Sequence, residues 1–282
     1  MVPEIPDLVA PLLQLCLRAG DAICRHYHAP GESEITAKDD QSPLTQADTE
    51  SHELLLAGLR VLDGSIPVLS EESPPADLLG RRSWRRYWLV DPLDGTKEFL
   101  AATGEFTINI ALIEDHRPVL GVLYLPLERS ACVGIPGVSA HRYQHGESGA
   151  WTRFDLAVRP LQPGGNLTVL ASRRHRNGQL AGCLAWLRRH WGPVTRLDSG
   201  SALKFCQLAR GEGDFYPRFS PCCEWDTAAG QAVLEAAGGA LLGLDGLPLR
   251  YNCRESLLSP HFLAVADPRH LLWRELLAEL PF

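Results

Sequence analysis

Trp88-Leu89-Val90-Asp91-Pro92-Leu93-Asp94-Gly95-Thr96-Lys97-Glu98-Phe99 begins as a buried strand and ends in acid. Tyr87 to Val90 is a short aromatic and aliphatic run with a proline two residues on, which predicts a central strand entering a turn. Pro92 fixes its own φ and keeps Asp91 extended, so the strand continues through Asp91. Gly95 permits a tight turn. Two carboxylates, Asp91 and Asp94, therefore sit close together at a strand end, followed by a hydroxyl and a cation. Carboxylates that close repel one another unless a positive charge lies between them. A hard divalent cation with oxygen ligands, Mg²⁺ above all, suits such a site. Asp, Pro and Gly are also ordinary turn residues, so the motif alone leaves both meanings open.

Composition narrows the field. The chain has 282 residues, 45% hydrophobic and 22% charged, with a net charge of −7. That is globular composition with enough length for a substantial core. The acidic balance argues against a general nucleic-acid binder, so no nucleic-acid partner is expected. The first residues lack a basic n-region, and no run of ~18 apolar residues occurs, so neither a secretory signal nor a transmembrane segment is expected. The eight cysteines form no CxxC pair. They are expected to be reduced, mostly buried thiols of a cytoplasmic protein.

Leu8, Leu12, Leu15, Cys16, Ala19 and Ile23 recur at helical spacing and predict a helix over 5–28. His26 and His28, two apart, do not share a helix face and are not read as a ligand pair. A second helix is expected over 47–62, with Thr45 as N-cap and Asp48 completing a capping box. A short strand at 66–69 runs into Glu71-Glu72. A meander of strands follows at 106–113, 119–125 and 131–134, with a turn over 115–118. The polar stretch 137–152 reads as a hairpin or an exposed loop. Composition breaks at Arg159-Pro160-Leu161-Gln162-Pro163-Gly164-Gly165, which places a domain boundary there and divides the chain into 1–160 and 161–282. Beyond it, strands at 167–171, 194–197, 214–216, 240–242 and 262–266 alternate with helices at 178–191, 201–210, 226–237 and 268–280. That alternation argues for layered α/β packing.

Each remaining acidic stretch has an ordinary explanation when taken singly. Glu71-Glu72 fits a solvated turn, and Glu224-Trp225-Asp226 fits a helix start. Together, and in order, they form a pattern. Its members are Lys38-x-Asp40-x-Ser42-Pro43-Leu44-Thr45-x-Ala47-Asp48, Leu69-Ser70-Glu71-Glu72, Asp91-Pro92-Leu93-Asp94-Gly95-Thr96-Lys97-Glu98-Phe99, Gly200-Ser201-Ala202-Leu203-Lys204-Phe205-Cys206 and Glu224-Trp225-Asp226-Thr227. The pattern resembles the inositol monophosphatase superfamily, the Mg²⁺-dependent, lithium-sensitive phosphatases. Within it, the chain is most similar to the bacterial 3′(2′),5′-bisphosphate nucleotidases of the CysQ group. The resemblance spans residues 5 to 270.

The resemblance implies a layered αβαβα sandwich, α+β and antiparallel-rich in the first half and alternating α/β in the second. An N-terminal metal-binding domain would be completed by a C-terminal domain that also binds the nucleotide. Glu71, Asp91, Asp94 and Asp226 would ligate two or three Mg²⁺ ions, with Leu93 contributing its main-chain oxygen and Glu72 lying beside the ligand set. Asp48 and Thr96 would orient and deprotonate a metal-bound water, the usual role of such a group in phosphate hydrolysis. Gly95 and Thr96 would offer backbone N–H groups to phosphate, and Lys97 would help neutralise it, unless it is a solvated lysine.

Contacts to the nucleotide would come from Ser172, His175, Ser201, Lys204 and Arg218, besides the metal-site residues Glu71, Leu93, Asp94, Gly95, Thr96, Lys97 and Asp226. Ser201 is equally placed to cap a helix, and Arg218 to lie in a solvated loop. Ser172-Arg173-Arg174-His175 departs from the Ser-Arg-Ser-His segment of the nucleotidases at Arg174. The implied reaction is hydrolysis of the 3′-phosphate of adenosine 3′,5′-bisphosphate to AMP, and of the sulfated analogue, within sulfate assimilation. The alternatives are an inositol monophosphatase, a sugar-bisphosphate phosphatase, or a non-catalytic metal- or nucleotide-binding regulator. Monomer and homodimer are both compatible with the sequence, as is peripheral association with the cytoplasmic membrane face, although no anchor is visible. Cys222 and Cys223, beside Glu224, are expected to be buried apolar groups rather than a redox pair.

Overall fold

The computed structural model describes residues 4–29, 36–37, 43–174 and 178–279. Lys38, Asp40, Ser42 and His175 lie outside the described residues. A 3₁₀ turn at Ile5–Leu8 leads into α1 (Val9–His28), followed by β1 (Thr36–Ala37), β2 (Pro43–Leu44) and α2 (Gln46–Leu62). Next come β3 (Val68–Ser70), β4 (Arg86–Asp94), the short α3 (Thr96–Leu100), β5 (Thr107–Glu114), β6 (Arg117–Leu125), β7 (Ser130–Ile135), β8 (Ser139–His145) and β9 (Trp151–Asp155). The remainder is β10 (Leu167–Ser172), α4 (Gly178–His190), β11 (Val194–Ser199), α5 (Leu203–Ala209), β12 (Phe215–Arg218), α6 (Ala228–Ala236), β13 (Ala240–Gly243), β14 (Phe262–Val265) and α7 (Leu272–Glu279).

The strands form two main sheets. One has the order β3-β4-β5-β6-β7-β8-β9, antiparallel except where β3 runs parallel to β4. The other has the order β11-β10-β12-β14-β13, with β10 parallel to β11 and β12. Three apolar clusters fill the four interfaces of five layers, the middle one lying on both faces of the central helices. The α1/α2 pair covers one face of the first sheet through Leu12, Leu15, Leu55, Trp88 and Ile110. The α5/α6 pair lies between the two sheets, packed among Leu89, Phe205, Val233 and Phe262. The α4/α7 pair covers the outer face of the second sheet with Leu184, Phe215 and Trp273. This is the expected αβαβα sandwich. Because β4 and β5 are covered on both faces, their apolar runs do not alternate.

Several boundaries differ from expectation. β4 does not turn after Asp91 but runs on to Asp94, with an irregular register against β5 between those residues. Pro92 falls in that irregularity, where its missing N–H costs no ladder bond. Segment 137–152 is half strand, because β8 and β9 extend the first sheet as a hairpin. The turn at 115–118 shrinks to Asp115-His116, and Arg117 and Pro118 join β6. The helix expected at 201 starts at Leu203, because Ser201 has φ of 43° and cannot be helical. The helix expected at 226 is preceded by a 3₁₀ turn, Glu224–Asp226.

α6 rests directly on the first sheet. A Cβ at Gly134 on β7 would lie 2.4 Å from Val233 Cα, so only glycine admits the helix at this depth. That contact holds the 3₁₀ turn leading into α6 near the end of β4.

Candidate metal and phosphate site

Asp91, Leu93 and Asp94 come from the irregular end of β4, Glu71 from the residue after β3, and Asp226 from the 3₁₀ turn before α6. The parallel pairing of β3 with β4 brings Glu71 alongside, and its N–H donates to Val90 O at 3.0 Å. Asp91 Oδ1 accepts from Leu93 N at 3.0 Å. Asp94 Oδ2 accepts from Asn109 Nδ2 at 3.2 Å and from Ala202 N at 2.6 Å, so both halves of the chain hold it. Asp226 Oδ2 accepts from Cys223 N at 2.9 Å. One carboxylate oxygen from each of Asp91, Asp94 and Asp226 lies within 4.8 Å of the others. Glu71 and Leu93 line the same cleft.

Burial, then the neighbouring Glu71 and Asp94, pushes the Asp91 carboxyl well above the ordinary range. Burial, followed by Asp94 and with Glu71 adding to it, pushes Asp226 up to about 7, against the pull of Arg218. Burial also raises Asp94, opposed by Lys204. Three clustered carboxylates that resist ionisation, with a main-chain carbonyl beside them, are a donor set for a hard divalent cation. The residues present therefore fit a Mg²⁺-type site.

Asp48 has two tasks at once. Its Oδ2 accepts from Thr45 N at 2.9 Å and from Thr45 Oγ1 at 2.5 Å, completing the capping box of α2. Its Oδ1 lies 3.2 Å from Thr96 Oγ1. The Thr96 hydroxyl is also 3.3 Å from Leu93 O. The capping role and a role at the site are thus carried by different oxygens of one side chain. Gly95 supplies the turn before Thr96 with φ of 96°, and a Cβ there would meet Glu105 O at 2.8 Å.

The cleft has a volume of about 330 Å³ and is lined by Gly95, Thr96, Lys97, Ser172, Ser201, Lys204, Arg218 and Asp226 among others. Lys97 is exposed, while Ser172, Ser201 and Arg218 are half-buried. Ser201 stands one residue before the N-cap position of α5; its Oγ accepts weakly from Leu203 N at 3.4 Å, and its carbonyl accepts from Lys204 Nζ at 2.6 Å. Lys204 is buried, donates also to Ser199 O at 3.0 Å, and stands 5.0 Å from the Tyr216 ring centre. Burial lowers its pKa to about 8. Arg218 donates to Tyr216 Oη at 3.3 Å and to Pro221 O at 3.0 Å. Lys204 and Arg218 line the same cleft as the carboxylates, Lys204 acting against the upward shift of Asp94 and Arg218 against that of Asp226. Cys222 is buried and Cys223 half-buried, and burial raises both thiols.

Asn109 escapes a motif-based search, as does the pairing of Arg174 with Glu98, two residues that the motifs contain but do not connect. Asn109 stood in plain view as an amide inside the apolar run Ile108-Asn109-Ile110, where a buried polar group needs a partner.

The chain matches the model of the inositol monophosphatase family over residues 7–278. It belongs to that family, and it is a phosphatase of it. Among its relatives is the 3′(2′),5′-bisphosphate nucleotidase CysQ of Salmonella typhimurium, 44% identical over 90% of this chain and 98% of that one. The Escherichia coli K12 protein of the same name is also 44% identical, over 88% of this chain and 96% of that one. Among solved structures, CysQ from Bacteroides thetaiotaomicron superposes with a TM-score of 0.80 at 36% identity, covering 93% of this chain and 98% of that one.

Proposed function

We propose that the chain hydrolyses the 3′-phosphate of adenosine 3′,5′-bisphosphate to AMP and phosphate, and 3′-phosphoadenylyl sulfate to adenylyl sulfate, in the cytoplasm during sulfate assimilation. One observation supports this above others: a three-carboxylate cluster and two cations, Lys204 and Arg218, share one cleft. A substrate with more than one anionic group suits a cleft that offers both a cation-binding cluster and fixed positive side chains. The nucleotidase relatives at 44% identity point the same way.

Asp91, Asp94, Asp226, Glu71 and the Leu93 carbonyl would hold Mg²⁺. Mg²⁺ bound there would supply a nucleophile near neutral pH and neutralise charge on the scissile phosphate. Thr96 Oγ1, donating to Asp48 Oδ1 at 3.2 Å, keeps its lone pairs for the attacking water, and the water's proton passes by way of Thr96 to Asp48. Attack on phosphorus breaks the bond to the 3′ oxygen, which leaves with the bonding pair and takes a proton from solvent water to give the 3′ hydroxyl of AMP. Lys204 and Arg218 hold the 5′-phosphate, with Ser172 and Ser201 lining the path between the two anions.

Phosphate release from adenosine 3′,5′-bisphosphate, 3′-phosphoadenylyl sulfate, inositol 1-phosphate and fructose 1,6-bisphosphate, with and without Mg²⁺ and Li⁺, tests this. The bisphosphate nucleotide is expected to have the highest kcat/KM, to require Mg²⁺ and to be inhibited by Li⁺. Hydrolysis of inositol 1-phosphate at equal or greater efficiency would overturn the assignment.

A further inference from the structure

One wall of the cleft carries a charge that opposes its purpose. Glu98, on α3, is 8% exposed and lines the cleft with Lys97 and Lys204. A buried carboxylate beside a phosphate subsite repels the ligand. Arg174 answers it from the other half of the chain. Its Nε donates to Glu98 Oε1 at 2.6 Å and its Nη2 to Lys97 O at 3.1 Å. Next to it, Arg173 donates to Glu105 Oε1 at 2.6 Å, while Glu105 Oε2 accepts from Gly200 N at 2.9 Å. The segment after β10 is thereby fastened over α3, with both carboxylates neutralised.

We infer that Arg174 is a positioning residue for the anionic substrate: it screens Glu98 and fixes the Ser172 side of the cleft, and so sets affinity for polyanionic esters without entering the chemical step. This rests on the phosphatase reading above. A guanidinium paired through two donors to a carboxylate and a carbonyl keeps its geometry, whereas an unpaired Glu98 would place a negative charge on the phosphate path.

The test compares wild type with Arg174→Gln, Arg174→Lys, and the double variant Glu98→Gln/Arg174→Gln, on adenosine 3′,5′-bisphosphate and on 3′-AMP. Arg174→Gln is expected to raise KM about tenfold for the bisphosphate and less for 3′-AMP, with kcat within about twofold, since one uncompensated charge near the ligand acts on binding. The double variant, which lacks both charges, is expected to return KM to within about threefold of wild type. Arg174→Lys, which keeps the charge, is expected to stay within the same range. An unchanged KM in Arg174→Gln overturns the inference. So does a double variant no better than the single one, because the arginine would then act on the ligand directly. If wild type hydrolyses some other phosphomonoester instead, the nucleotidase assignment fails, and the same comparison is made on that ester. A fall in kcat that tracks a drop in Tm in both Arg174 variants would mark a merely structural role and also overturn it.

Discussion

Thr96 Oγ1 reaches Asp48 Oδ1 over 3.2 Å, joining the start of α3 to the first turn of α2. The bond is possible because the capping box uses only the other oxygen of Asp48. A carboxylate fixed by a cap is already oriented for its second partner. Thr96→Ala should therefore lower kcat by about 10²- to 10⁴-fold, the range for loss of general-base assistance, and leave KM nearly unchanged. Steady-state kinetics decide it. A kcat within twofold of wild type would show that the pair takes no part in proton transfer.

The repulsion among Asp91, Asp94 and Asp226 predicts an unusual stability pattern. Chelation with EDTA should lower Tm, and Mg²⁺ should restore it. In the chelated protein, Asp226→Asn should melt about 2–4 °C above wild type, the shift expected for roughly 1 kcal/mol of relieved repulsion in a chain of this size. The amide oxygen can still accept from Cys223 N. With Mg²⁺ present the order should reverse. Differential scanning calorimetry reads both conditions, and an Asp226→Asn protein that is less stable in EDTA would contradict the clustering.

Lys204 predicts a pH effect. Burial lowers its pKa to about 8, so its ammonium is charged at pH 7 and neutral well above pH 8. The charged form is the one that attracts phosphate, so kcat/KM should fall as pH rises through 8, by about tenfold by pH 9. Lys204→Met should have a low, flatter profile over the same range. A wild-type profile that is level from pH 7 to 9.5 would remove Lys204 from substrate binding.

Gly134→Ala tests the seat of α6. The added methyl would meet Val233 Cα at 2.4 Å and force helix and sheet apart. Overpacking of this kind costs about 1–3 kcal/mol. Urea unfolding should show that loss, and activity should drop as well, because the turn carrying Asp226 leads directly into α6. Full stability in the variant would mean that the contact yields easily.

The helices and the carboxylate motifs were legible in the residues themselves, whereas the layer order followed only from the family resemblance, because periodicity gives elements and not how they stack. Periodic apolar residues expose helices such as α1, and the acidic motifs mark strand and helix ends where carboxylates are out of place unless they have work to do. The end of β4 was harder, since a proline two residues past Val90 normally stops a strand and only the irregular pairing with β5 lets it continue. The hairpin β8–β9 was hidden by its own exposure: β9 is an edge strand with one half-buried residue and four exposed ones, so no apolar period develops. Arg174 and Glu98 lie 76 residues apart, and nothing local in either segment announces the pairing.

The two hydrogen bonds to Asp94 Oδ2 have a consequence for assembly. Asn109 is laid down early in the chain and the Ala202 N–H late, and both are needed to aim the same oxygen. An emerging polypeptide that has completed the first sheet thus has its acidic loop but not its final aim. The fixed cradle arises only when the second sheet docks, and a cation that prefers that cradle draws the equilibrium towards the fully assembled chain. Cation binding and the last docking step are thus expected to be coupled, with a half-assembled chain holding an ion more weakly than the complete one.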